Sequence, residues 1–167
     1  EHGMMPTNVA ARMTLASLLL TGLRAGDTCL YVTSEGDRDG FRAALADDAP
    51  DVDLGWLEVR EPSSTYLQAG VFSSDGMLEL IEDWSRKTFA REDCRFARAA
   101  SDMSWALPHV TTGLMGDLVS YEARVVRWTR AYRQVGVCLY DMDLFGGDVI
   151  VAMVIVRVPH QPVTEAK

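Results

Sequence analysis

The chain has 167 residues, 48% of them hydrophobic, and carries 16 basic against 24 acidic residues for a net charge of −8. That length suits one domain over 1–167, with a core large enough to need neither disulfides nor a structural metal. The negative balance argues against direct binding to nucleic acid or an anionic membrane surface, and the longest apolar run, 149–156, is far short of the about 20 residues that span a bilayer.

Taken in chain order, residues 9–25 read as a helix, with Leu15, Leu19 and Leu23 at four-residue spacing and Gly26 as its stop. Residues 28–33 (TCLYVT) read as a buried strand, 37–46 as a short helix with an acidic edge, and 55–59 (GWLEV) as a second strand. Ser74 is placed to cap a third helix, in which Met77, Leu80, Ile81 and Trp84 follow the i, i+3, i+4, i+7 pattern. Residues 95–101 make the next strand, and 116–132 the next helix, buried through Leu118, Val125 and Tyr132. Residues 135–140 (VGVCLY) form another strand, followed by a turn at 143–147. Over 148–158 the density of Val and Ile favours a strand. This alternation predicts an α/β fold, a three-layer αβα sandwich with a mostly parallel sheet and helices on both faces.

The most informative stretch is 98–107, where an apolar run ends in Asp102, Met103, Ser104 and Trp105 before Ala106 and Leu107. Polar and aromatic groups gather where a buried strand surfaces, which is how α/β proteins build ligand pockets. Asp102 to Leu107 resembles the acidic-Met-Ser-Trp-Ala-Leu signature of the MEDS family of sensory domains. Gly22 to Val32, Thr65-Tyr66-Leu67, Tyr121 to Arg124 and Cys138 to Asp141 fall in the family's order, so the resemblance covers nearly the whole chain. It implies a RecA/KaiC-like domain without its nucleotide machinery that senses small molecules for bacterial signal transduction or transcriptional regulation. It also implies a helix in the ambiguous tail and a short final strand after the 159–162 turn.

Nucleotide hydrolysis finds little support. A phosphate-binding loop needs close-approaching glycines, then Lys and Ser or Thr, and the segment before the first helix reads HGMMPTN over 2–8. Asp102 stands where such folds keep a magnesium carboxylate, without that loop as partner. The family's N-terminal pattern, roughly His-x-Cys-x-x-Tyr, is matched at His2 but not at Met4 or Thr7. A thioether packs or ligates soft metals where a thiolate would react. His2 and Met4 with His109 or His160 make too short a motif to specify a metal or haem site. No Gly-x-Ser-x-Gly elbow supports Ser104 as a nucleophile, and the Asp51/Asp53 and Asp141/Asp143 pairs read as turns and caps rather than calcium ligands. Cys29, Cys94 and Cys138 lack metal-type spacing and read as reduced thiols.

The expectation is a non-catalytic, cytoplasmic sensory domain. Its site is expected to draw on His2, Met4, Thr7, Tyr66, Asp102, Met103, Ser104, Trp105, Glu122 and Tyr140, with no metal ligand and no specified cofactor. Trp105 and Tyr140 lie at strand ends, where open α/β sheets bind ligands, whereas rings such as Tyr66 and Tyr121 are by themselves more often core than ligand box. Glu122 fits either a solvated helix face or a carboxylate turned into the pocket. The partners implied are a small-molecule ligand, an output domain or regulatory protein, and a second copy as a homodimer. Two alternatives stand beside this reading: an interaction module without ligand, and a metal- or haem-dependent redox sensor using His2 and Met4. The chain begins at Glu1 rather than Met, as a processed protein or an excised piece of a longer one would.

Overall fold

Four helices and four strands alternate through residues 9–147, the part of the chain that the computed structural model describes. In order they are α1 (Val9–Arg24), β1 (Thr28–Val32), α2 (Arg38–Asp48), β2 (Leu57–Arg60), α3 (Ser74–Phe89), β3 (Ala97–Asp102), α4 (Thr112–Ala131) and β4 (Gln134–Leu139). The strands form one sheet in the order β2-β1-β3-β4, every pairing parallel, with Tyr31 level with Val59 on one side and Ala100 on the other. The expected αβα sandwich is therefore the observed architecture. The tail expected over 148–158 and the final strand lie outside the described residues.

Local chemistry explains where the elements begin and end. Gly26 adopts φ +83°, a conformation that costs a residue with a Cβ, and turns the chain from α1 into β1. The cap of α3 is Ser73 rather than Ser74: its extended backbone leaves the hydroxyl free to accept from the Gly76 amide at 3.1 Å. Similarly, α4 starts four residues before the expected Gly116, because the Thr111 hydroxyl accepts from Leu114 N at 3.1 Å. That cap outweighs the poor helix propensity of Gly113 and Gly116. Tyr132 is not buried as expected; it ends α4 half-exposed, stacked on Phe89 with ring centroids 5.3 Å apart. Gly55 and Trp56 fall before β2, in a 3-10 turn (Leu54–Trp56) that Asp53 caps by accepting from Gly55 N at 2.8 Å.

Alternation along the strands divides the core in two. Cys29, Tyr31, Leu57, Val59 and Ala100 pack against Leu15 and Leu19 of α1 and Phe41 and Leu45 of α2. Leu30, Val32 and Ala97 pack on the opposite face with Met77, Ile81 and Trp84 of α3 and Leu118, Val125 and Trp128 of α4. The connection from β1 to β2 steps one way across the sheet, and those to β3 and β4 step the other way. Right-handed crossovers then require α2 on one face and α3 and α4 on the other, as observed.

β3 is unusual for a central parallel strand. It reads Ala97-Arg-Ala-Ala-Ser-Asp102, without one β-branched residue, where both faces are covered and Val or Ile normally dominates. On the α1 face Arg98 is held by Asp27, Nε to Oδ2 at 2.7 Å, and it has room because Gly22 has no Cβ. A Cβ at Gly22 would lie 2.5 Å from Arg98 Cδ. Removing one partner of a mostly buried ion pair strands the other charge, so Asp27→Ala is expected to cost about 3 kcal/mol in urea unfolding. Asp27→Ala combined with Arg98→Met is expected to recover most of that loss; no recovery would show that the packing around the pair, not the stranded charge, carries the cost.

Candidate functional site

The winding reverses between β1 and β3, and the crevice beyond the carboxyl ends of those neighbouring strands is where open α/β sheets take ligands. There Ser34 Oγ donates to Asp102 Oδ2 at 3.2 Å, and Asp102 Oδ1 accepts from Ser104 N at 2.9 Å. The second bond caps the 3-10 helix Met103–His109, so one buried carboxylate ties the two strand ends together and sets the start of the next segment. The neighbouring carboxylates are also engaged. Asp37 accepts from Thr33 Oγ1 at 3.3 Å and pairs with Arg12 at 2.9 Å, while Glu35 accepts from Ser63 N and Oγ at 3.0 and 2.7 Å. Among the described residues, no group of three or more His, Cys, Asp or Glu side chains could hold a metal ion.

On the α3/α4 side of this edge, four rings from three segments close on one another. Tyr66 stacks on Trp105 with centroids 4.7 Å apart, and Phe72 lies 5.5 Å from Trp105. Tyr121 stands edge-on to both Tyr66 and Phe72 at 5.8 Å, within the range where such pairs attract. Trp105 comes from the 3-10 helix that Asp102 caps and Tyr121 from α4; Tyr66 and Phe72 come from the irregular chain between β2 and α3. Behind the rings is a cavity of about 30 Å³, bounded by Tyr66, Tyr121, Ser101, Cys138, Leu30 and Met77. The sequence of the sheet makes this space: Ala99, Ser101 and Gly136 stand where larger strand residues would fill it. It has room for one or two water molecules, so the aromatic box is closed.

Polar groups penetrate this apolar region. Tyr140 donates its hydroxyl to Glu122 Oε1 at 2.7 Å, and Glu122 is only 2% exposed, so the carboxylate is turned inward rather than solvated. Burial first, and the Glu122 charge second, push the Tyr140 phenol far above its ordinary value. Tyr66 and Tyr121 are raised, chiefly by burial, and so is Tyr31 on the opposite face. Two buried donors have no hydrogen-bond partner among the described residues: Ser101 Oγ and Trp105 Nε1. Ser101 lies within reach of the Tyr66 phenol and favours its ionised form, while its Oγ meets no partner at full hydrogen-bond geometry among the described residues. The other buried indoles are satisfied, Trp84 by Glu58 Oε2 at 3.2 Å and Trp128 by Ser85 Oγ at 2.9 Å.

Of the residues expected at the site, the structure brings Tyr66, Met103 and Trp105 together in one core cluster, with Tyr140 packed against it. Glu122 joins them through Tyr140. Asp102 and the half-buried Ser104 lie at the crevice, linked to the box through the backbone of the 3-10 helix. His2, Met4 and Thr7 lie outside the described residues, as does His160. His109 is exposed at the end of the 3-10 helix. Ser34, Phe72 and Ser101 belong to the same region and were not expected. Ser101 carried a signal, a hydroxyl in a strand of small residues; Ser34 carried none, since its contact with Asp102 spans 68 positions. Cys29 and Cys94 are buried free thiols, and Cys29 is pushed up to about 12 by burial.

These features define a parallel α/β domain with a closed aromatic box beside its topological switch point. The sequence model of the MEDS family, described as MEthanogen/methylotroph, DcmR Sensory domain, matches residues 9–156, and the chain belongs to this family of sensory domains. No curated protein and no solved structure matches the chain. No helix among the described residues is long and apolar enough to cross a membrane.

The raised phenols and thiol have a measurable consequence. Each is favoured in its neutral form by the fold, so its contribution to stability is complete below the unfolded value. It is lost as pH rises from there towards the folded value. Stability is expected to fall from about pH 9, where an unfolded Cys29 would ionise, and more steeply above about pH 10, by up to about 1.4 kcal/mol per group per unit. Ultraviolet titration is expected to show Tyr31, Tyr66, Tyr121 and Tyr140 ionising only as the circular dichroism of the fold is lost. The chain has five tyrosines, and early reversible ionisation of more than one of them, Tyr132, would contradict the burial described.

Proposed function

We propose that this domain is a non-catalytic, cytoplasmic small-molecule sensor whose ligand enters the aromatic box between Tyr66, Trp105 and Tyr121. The observation that carries the reading is a pair of donors without a hydrogen-bond partner among the described residues, Trp105 Nε1 on the ring stacked against Tyr66 and Ser101 Oγ near the Tyr66 phenol. An unsatisfied buried donor costs about 1–3 kcal/mol. A ligand with an acceptor for either donor recovers that cost on binding, and ordinary core packing gives no return for it. Met103, Trp105 and Tyr140 would supply wall, and the buried Glu122–Tyr140 pair a polar end. His2, Met4 and Thr7 would close the site from the N-terminal segment, as the family pattern suggests.

Transmission follows from the same geometry. Entry of a ligand requires Trp105 or Tyr66 to move, and Trp105 is carried by the 3-10 helix anchored at Asp102. A shift there would act on the Ser34–Asp102 link and so on the strand-end crevice, where an output domain or regulatory protein could read it. A ligand drives such a change only by its differential affinity for the two arrangements. The domain's relation to RecA/KaiC-like proteins and a role in transcriptional control belong to this proposal.

Conservative variants separate this reading from plain core packing. Trp105→Phe keeps the ring and loses the N–H; Ser101→Ala loses the hydroxyl. Each is expected to leave thermal stability unchanged or raised, because an orphaned donor has gone, while weakening ligand binding by about 5- to 150-fold. The readout is native mass spectrometry of the gently purified chain for a copurified mass, followed by titration with that compound. Loss of stability with no effect on a bound mass, or no bound mass in any preparation, would place both residues in the core alone.

A further inference from the structure

A second feature lies on the outer face of α3 and α4, where Trp128 separates it from the cavity behind the rings. An open groove of about 550 Å³ runs between the two helices. Its α3 bank is Asp75, Glu79 and Glu82 around Leu78, and its α4 bank is Arg124, Arg127 and Ala131 around Trp128. Each bank follows i, i+3, i+4, i+7 spacing, the spacing of one helix face. Both helices are crossovers of the same parallel sheet and run the same way. Arg124 Nη1 meets Asp75 Oδ1 at 2.6 Å, and about two turns on Tyr132 OH donates to Glu82 Oε1 at 2.6 Å. Equal rise along both helices therefore sets Glu79 level with Arg127 and Trp128. Glu79 and Arg127 are exposed and enter no ion pair among the described residues.

We infer that this face is a two-fold interface with a second copy of the chain, in which the acidic bank of each α3 meets the basic bank of the partner's α4. The charge pattern selects both the occupant and the symmetry. A chain of net charge −8 repels its copies in general, but here three carboxylates and two guanidiniums nearly balance and are sorted onto opposite banks. A two-fold axis running along the groove sets α3 against the partner's α4 at the same level, pairing Glu79 with Arg127 twice. An in-plane axis across the groove would instead set acid on acid and base on base. The interface is isologous, as two-fold contacts are, and the half-buried Leu78 gives its centre apolar surface over the edge of the buried Trp128. The banks do not suit nucleic acid, since the groove is lined by more carboxylates than guanidiniums.

The test is sedimentation equilibrium of the full chain over a concentration series at low and high salt, with Glu79→Arg, Arg127→Glu and their mixture. The wild type is expected to dimerise, less tightly at high salt. Each reversal sets like charges face to face twice and is expected to raise the dissociation constant at least about tenfold, with circular dichroism unchanged. Mixing the two variants restores both pairs and is expected to restore a heterodimer, which an ion pair within one chain could not do. A wild type that stays monomeric, a dimer indifferent to both reversals, or a mixture that fails to associate would overturn the inference. Glu79→Gln and Arg127→Gln cover the case in which reversal disturbs folding: each is expected to weaken the dimer, and an unchanged dimer would count against it.

Discussion

The reversal of winding between β1 and β3 is the constraint from which the rest follows. Because successive crossovers must keep one hand, stepping one way to β2 and the other way to β3 and β4 puts helices on both faces of the sheet. It also leaves neighbouring strand ends whose following chains diverge, one into α2 and the other into the 3-10 helix that carries Trp105. Asp102 spans that divergence with one oxygen for Ser34 and one for the Ser104 amide. A single carboxylate thus couples the sheet, the crevice and the position of the aromatic box.

A second constraint is the composition of β3. A central parallel strand of Ala, Arg and Ser gives up the dispersion contacts and burial that Val or Ile would supply there. Two devices offset this. Arg98 is neutralised by Asp27 in a gap that Gly22 leaves open, and Tyr66, Trp105, Phe72 and Tyr121 bring large rings over the small residues. The rings do not fill the space completely, and Ser101 and the Trp105 indole find no hydrogen-bond partner among the described residues. Stability is given up at the place where a sensory domain has use for adaptable packing, a trade seen where function needs an imperfect core.

Much of this architecture could be read before the structure. Leu15, Leu19 and Leu23, then Met77, Ile81 and Trp84, carry helical periodicity strong enough to place α1 and α3, and the β-branched or aromatic runs at 28–33 and 135–140 place β1 and β4. Element ends were less legible, because they depend on caps: Ser73 and Thr111 outrank Ser74 and Gly116 through one hydrogen bond each. The sequence placed Trp105 and Tyr140 at strand ends, and the structure has them just after β3 and β4. Glu122 left two readings open, since a helix register with Tyr121 buried does not say whether the next side chain turns inward. Its bond to Tyr140, 18 residues away, decides it. Ser34 was out of reach of any local pattern.

The account stands or falls on whether the Trp105 indole is a ligand donor, and indole nitrogen resonances of the ¹⁵N-labelled chain report on it directly. The chain has four tryptophans, Trp56, Trp84, Trp105 and Trp128; Trp84 and Trp128 already donate to Glu58 and Ser85. Adding the small-molecule fraction of cells that make the protein should move the Trp105 indole signal downfield, as a new hydrogen bond does, and leave Trp84 and Trp128 in place. A Trp105 signal that never moves, or a uniform shift of the buried indoles, would contradict a ligand site at the aromatic box and leave Trp105 as an imperfectly satisfied part of the core.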